Sequence, residues 1–140
     1  MTPLRIREAQ LRVLREAALL HAVEAGLLRH FPSQCAALGR RGLGRFVAAS
    51  RDRARAFGFT TVEIQGFASF ELVFGESYWD TRPYLWAKRI LEDKGIEHPA
   101  NRFQALREAS IFFLAKQAER EALAYASTDE TPIEAQIADK

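Results

Sequence analysis

Histidine and cysteine are the side chains of this sequence best suited to metal binding or nucleophilic chemistry, but their spacing argues against both. The histidines are His21, His30 and His98, and Cys35 is the only cysteine. On a helix, the nine residues between His21 and His30 turn the two rings about 180° apart, so they cannot hold one metal ion. Cys35 lies near His30, but no glycine-rich nucleophile motif surrounds it. We therefore expect structural roles for these residues, and neither a thiol nucleophile nor a metal or other cofactor.

Carboxylates could perform acid–base catalysis if two of them were buried opposite each other. Glu63, Glu71, Glu76 and Asp80 are the nearest candidates. Glu63 and Asp80 stand where helix caps are expected, while Glu71 lies in an apolar run and should be partly buried. Because a buried acid needs a partner, we expect an arginine from another helix to contact it. The segment GRRGLGR, residues 39–45, lacks the glycine spacing and the lysine of phosphate-binding loops. The sequence thus predicts a protein that is not an enzyme.

Arginine is concentrated in one segment of the chain. Residues 40–55 contain six arginines and one aspartate, although the formal net charge of the whole chain is only +2. Nucleic-acid binding is disfavoured, because Phe46 is the one aromatic residue among them and its spacing places it in a helix core. An acidic protein surface is our preferred partner, and an ordinary solvated face is the alternative. The candidate protein-binding residues here are Arg40, Arg41, Arg45, Arg51, Arg53 and Arg55.

Aromatic residues crowd the stretch FGESYWDTRPYLW, residues 74–86. Phe74 and Trp86 fall on inward helical positions, so they should belong to the core. Tyr78 and Trp79 belong to a connection, where exposed Tyr and Trp are common anchors for partner proteins. They are therefore either part of the binding surface or a closure of the core.

The pattern of apolar residues predicts an all-α, single-domain bundle of about five helices. Thr60 with Glu63, and Phe59 with Ile64, are the cap and staple signals that favour a helix over a strand after residue 59. Glycines around Gly42 predict a loop before the second long helix. The predicted helices cover about residues 3–31, 43–57, 60–74, 82–94 and 99–126, and residues 127–140 are predicted to be a mobile acidic tail.

Charged residues interrupt every apolar run, so neither a signal peptide nor a membrane span is predicted. A single cysteine excludes an internal disulfide and fits a reducing compartment. We therefore expect a cytoplasmic protein.

Three segments carry a resemblance to a known family. They are LLRHFP at 27–32, RARAFGFTTVEIQGFASFELVFG at 53–75, and the spacing of Asp80, Pro83, Trp86, Ala87, Ile90 and Leu91. Over roughly residues 1–115 the chain resembles small helical proteins encoded in bacterial type VI secretion gene clusters. It departs from that pattern at Phe57, where the family tends to have Tyr, and between Gln65 and Ser69, where the family is more acidic.

The resemblance implies an accessory protein, an adaptor or chaperone, that binds a secreted effector or a spike component. The resemblance assigns no functional residues to this chain. Two alternatives stay open: an immunity protein that neutralises a cognate effector, and a small ligand-binding bundle. The sequence leaves the oligomeric state open.

Overall fold

The computed structural model describes the backbone of residues 3–138 and the side chains of residues 7–127. Over these residues the chain forms five α-helices and no strand, so the predicted all-α class is confirmed. The helices are α1 Pro3–His30, α2 Pro32–Ala56, α3 Thr61–Phe74, α4 Leu85–Leu91 and α5 Pro99–Ala138. Two 3₁₀ turns, Tyr78–Asp80 and Arg82–Tyr84, join α3 to α4. No described helix combines the length and apolarity that a membrane span needs.

The loop predicted around Gly42 is wrong, because α2 is helical from Pro32 onward. Only Gly39 leaves helical geometry, with a φ of 73° that glycine tolerates without a steric penalty, and it kinks the helix there. The other glycines of this segment lie within the helix, where neighbouring contacts outweigh their poor helix propensity. The predicted end of α2 is correct, since Gly58 adopts a left-handed φ of 84° just beyond it.

The core lies where α2 and α3 meet, with α1 on one side and α5 on the other. Phe67 of α3 is completely buried and contacts the rings of Phe57, Phe59 and Trp79. Buried side chains from the other helices complete the interior, and these include Val23, Leu27, Phe46, Val47, Ala54, Ala87, Leu91 and Leu106.

Helix α3 begins as the capping signals predicted, and the strand alternative is not formed. Thr60 precedes its first residue, and Phe59 and Ile64 are both buried. The Thr60 hydroxyl donates a hydrogen bond to Glu63 Oε2 at 2.8 Å, rather than accepting one from a backbone N–H. The two side chains of the predicted box therefore pair with each other at the start of the helix.

Both terminal helices extend beyond the part of the bundle that buries them. In α1 the described residues before Glu16 are all exposed, including Val13, although its spacing continues the apolar pattern of the helix. In α5 every described residue from Ala115 to Ser127 is exposed. This helix also continues to Ala138 instead of ending near residue 126. The mobility predicted for residues 127–140 stays a prediction, because nearly all their side chains lie outside the described residues.

Helix α4 is shorter than predicted. The chain makes two separate 3₁₀ turns before α4 begins at Leu85, and Pro83 lies in the second of them. Leu85 at the start of α4 is 40% exposed, whereas Leu91 at the other end is buried. The short helix thus contributes Ala87 and Leu91 to the interior.

Candidate functional site

The six arginines predicted as a binding surface divide into two groups in the structure. Arg53 belongs to the interior group, because its Nε donates to Glu71 Oε2 at 2.8 Å. Glu71 is 1% exposed, and it also accepts hydrogen bonds from the Ser50 hydroxyl at 2.7 Å and the Ser77 backbone N–H at 2.9 Å. The expected pairing of this buried acid with an arginine of another helix is confirmed. Arg53 therefore joins α2 to α3 and to the connection after α3.

Arg51 and Arg55 are also paired. Arg55 forms a two-pronged ion pair with Glu16 of α1, in which Nη2 lies 2.9 Å from Oε2. The hydrogen bond from Arg55 lowers the pKa of Glu16. Arg51 Nε donates to the neighbouring Asp52 at 3.0 Å, and its side chain is largely buried. These two arginines present less positive charge to a partner than the sequence suggested, since carboxylates lie directly beside them.

The remaining three arginines, Arg40, Arg41 and Arg45, lie in the exposed part of α2 just after the kink at Gly39. Among the described residues none of the three forms a salt bridge or a side-chain hydrogen bond. The carboxylate of Glu24 of α1 lies beside Gly44, the residue before Arg45. We call Arg40, Arg41 and Arg45 the basic cluster, and it is the part of the predicted surface that the structure leaves accessible and uncompensated.

Tyr78 and Trp79 are core residues. Tyr78 is 1% and Trp79 is 7% exposed. The Trp79 ring packs edge-on against Phe57 at a centroid distance of 5.4 Å, while Tyr78 packs against Phe74 at 5.0 Å. Of the two roles the sequence allowed, the structure has closure of the core, so neither ring is a surface anchor. The connection is held inward because its 3₁₀ turns point both rings at the α3 aromatics.

The residues considered for thiol or metal chemistry differ in exposure. His21, His30 and His98 are exposed, whereas Cys35 is buried at the start of α2. Burial raises the pKa of the Cys35 thiol, which disfavours the reactive thiolate. Within the described residues no three His, Cys, Asp or Glu side chains converge on a point where a metal ion could bind.

A groove that the sequence did not predict runs along the exposed side of α5. Its volume is about 740 Å³, and it lies between Trp86 of α4 and residues 105–120 of α5. Phe112, one of the residues that line it, is 66% exposed, and Phe113 packs against Trp86 with a centroid distance of 5.4 Å. Charged side chains line its edges: Glu108, Lys116 and Arg120. The available signal was Phe112 itself, an aromatic residue on the side of the helix opposite to its core positions.

Comparisons with known proteins give no relative. No protein-family model matches the chain, and neither the curated proteins nor the solved structures include a significant match. The resemblance to proteins of type VI secretion gene clusters therefore stays a prediction from the sequence.

Proposed function

We propose that this chain is a non-catalytic adaptor or chaperone whose basic cluster binds an acidic surface of another protein. The observation that carries the proposal is the division of the arginines: Arg51, Arg53 and Arg55 contact carboxylates of their own chain, whereas Arg40, Arg41 and Arg45 do not. Three exposed guanidinium groups within six residues form a local positive field that attracts acidic side chains.

The identity of the partner rests on the sequence resemblance. On that ground we propose that the partner is a secreted effector or a spike component of a type VI secretion system, and that the two proteins bind in the cytoplasm. Arginine suits such a contact because its planar group donates two parallel hydrogen bonds to one carboxylate. Exposed arginine–carboxylate pairs are individually weak, so the cluster would supply orientation and association rate more than affinity.

A charge-reversal experiment tests the basic cluster. Arg40, Arg41 and Arg45 are replaced together by Glu, and binding to the products of the neighbouring genes is measured by calorimetry at low and at moderate salt. We expect at least a tenfold loss of affinity for the cognate partner, or about 1.4 kcal/mol, because attraction becomes repulsion. The wild-type affinity should also fall as salt is raised.

The matched control replaces Arg7, Arg12 and Arg15, three exposed arginines of α1, by Glu. Both triple variants change the formal net charge from +2 to −4, since each reversal changes it by −2. Equal loss of affinity in the two variants, or unchanged affinity in the cluster variant, would rule out the basic cluster as the binding surface.

A deletion strain separates the adaptor from an immunity protein. If the gene is removed while the neighbouring toxin gene is kept, an adaptor predicts loss of secretion with normal growth. Self-intoxication of the deletion strain would instead identify an immunity protein and overturn the proposal.

A further inference from the structure

Helix α5 carries a second stripe of side chains on the side facing away from the core. The core side of this helix includes Leu106 and Ser110, both completely buried. The outward stripe advances by alternating steps of four and three residues, the spacing of a coiled-coil seam. Its members are Ala105, Ala109, Phe112, Lys116, Glu119, Leu123 and Ala126.

This stripe is unpartnered in the described chain. Phe112 and Leu123 are each 66% exposed, and every described side chain of α5 from Ala115 to Ser127 is exposed. Lys116 lies 3.5 Å from Glu119 and 5.7 Å from the centre of the Phe112 ring. The stripe is therefore an apolar seam with one positive and one negative residue at its middle.

When two copies of the stripe run antiparallel, residues of complementary chemistry face each other. Two copies placed antiparallel, with a two-fold axis between Gln117 and Ala118, set Lys116 of each copy against Glu119 of the other. The same register sets Phe112 against Leu123 and Ala109 against Ala126, so every layer joins residues of matching chemistry. A parallel pairing in register would instead oppose lysine to lysine and glutamate to glutamate, which is repulsive.

We infer that residues 109–126 of α5 form an antiparallel dimer interface with a second copy of this chain. Each copy contributes the same surface, as a two-fold interface requires. The projecting half of the second copy's α5 would lie in the groove beside Trp86, where its Leu123 and Ala126 cover Phe112 and Ala109. The residues that α5 buries against its own domain, Leu106 and Ser110, are not members of the stripe, so the seam is available to the second copy. This inference is independent of the function proposed for the basic cluster.

Charge exchange tests the pairing at its centre. Lys116→Glu and Glu119→Lys are each expected to be monomeric, because each homodimer would oppose like charges. An equimolar mixture of the two should form a heterodimer. Sedimentation equilibrium between about 1 and 300 µM suits this small interface, whose dissociation constant we expect on the order of 10 µM. A wild-type chain that stays monomeric at the highest concentration would overturn the inference.

Truncation of the apolar layer provides a control within the same turn of helix. Phe112→Ala should raise the dimer dissociation constant at least about tenfold, because a symmetric interface contains the change twice. Ile111→Ala removes a neighbouring side chain that is 53% exposed but lies outside the stripe, so it should leave dimerisation unchanged. Equal effects of the two substitutions would place the interface elsewhere.

Disulfide cross-linking tests the orientation. Ala109→Cys and Ala126→Cys proteins are oxidised separately and as a mixture, with Cys35 retained because it is buried. Antiparallel pairing predicts a linked dimer in the mixture only. Links within either single variant, or none in the mixture at a concentration where sedimentation detects a dimer, would contradict this register.

Discussion

Three polar contacts of the interior converge on Glu71. Its two oxygens accept hydrogen bonds from a side chain of α2 that is buried, from a guanidinium group that is partly buried, and from a backbone N–H after α3. A buried carboxylate is costly to desolvate unless such donors surround it. These contacts fix the relative positions of α2, α3 and the connection after α3 more precisely than apolar packing alone would.

We expect Glu71→Ala to lower the free energy of unfolding by about 3–5 kcal/mol, because Arg53 and Ser50 would lose their buried acceptor. Glu71→Gln should cost less, since it keeps the volume and one acceptor oxygen. Urea denaturation measures both. As a control, Glu16→Ala breaks the more exposed pair with Arg55 and should cost at most about 1 kcal/mol. A cost for Glu71→Ala as small as that of the control would mean that the network does not stabilise the fold.

Tyr78 should make the fold sensitive to alkali. Burial and the nearby Glu71 carboxylate raise the pKa of its hydroxyl, and Ser110 offsets part of the effect. Above pH 10 an unfolded tyrosine ionises while the buried one stays protonated, so the unfolded state binds fewer protons. Stability then falls with rising pH, at up to about 1.4 kcal/mol per pH unit.

The Tyr78→Phe variant separates this contribution from that of Cys35, because burial also raises the pKa of the Cys35 thiol. The variant should lose less stability than the wild type between pH 10 and pH 11.5. At pH 7 it should be about as stable as the wild type, because the buried Tyr78 hydroxyl lies near Ser110 but forms no hydrogen bond of good geometry. Parallel curves of stability against pH for the two proteins would exclude ionisation of Tyr78 as the cause.

At the scale of elements, Gly66 sets how closely α3 approaches α5. A Cβ at this position would lie 2.3 Å from the Phe103 ring, whose movement is restricted by Phe59 and Phe70. Gly42 occupies the interior of α2, and a Cβ there would meet only ordinary contacts.

We expect Gly66→Ala to destabilise the protein by about 1–3 kcal/mol through overpacking. Gly42→Ala should stabilise it by about 0.5–1 kcal/mol, because alanine restricts the unfolded chain and is the better helix former. Thermal unfolding of the two variants provides the comparison. A stabilising Gly66→Ala would show that α5 can shift away from α3 without cost.

The helices themselves were predictable because apolar spacing and caps are local signals. Thr60 with Glu63 correctly marked the start of α3, and the isolation of Glu71 in an apolar run foretold an arginine partner. The sequence did not predict that the chain is helical on both sides of Gly39. The low helix propensity of the glycines there is outweighed by the contacts of α2 with α1. The direction of Tyr78 and Trp79 depends on turns whose geometry only packing decides.

At the scale of the whole molecule, the sequence could not reveal which apolar stripes lack a partner. Val13 has the same helical spacing as the residues that α1 buries, but α2 does not extend far enough to cover it. Phe112 likewise belongs to a regular stripe, and its exposure follows from the position of α4 and not from its neighbours in sequence. The exposed stripes can therefore be identified only from the structure, which shows where one helix extends beyond the helices that pack against it.

The two tryptophans occupy contrasting places, one sealed among the rings of Phe57 and Phe67 and the other beside the groove. The molecule thus contains its own pair of optical reporters. Emission from Trp79 follows the integrity of the interior, while that of Trp86 responds to whatever enters the groove. Unfolding and ligand occupancy can consequently be distinguished by fluorescence without attaching a dye.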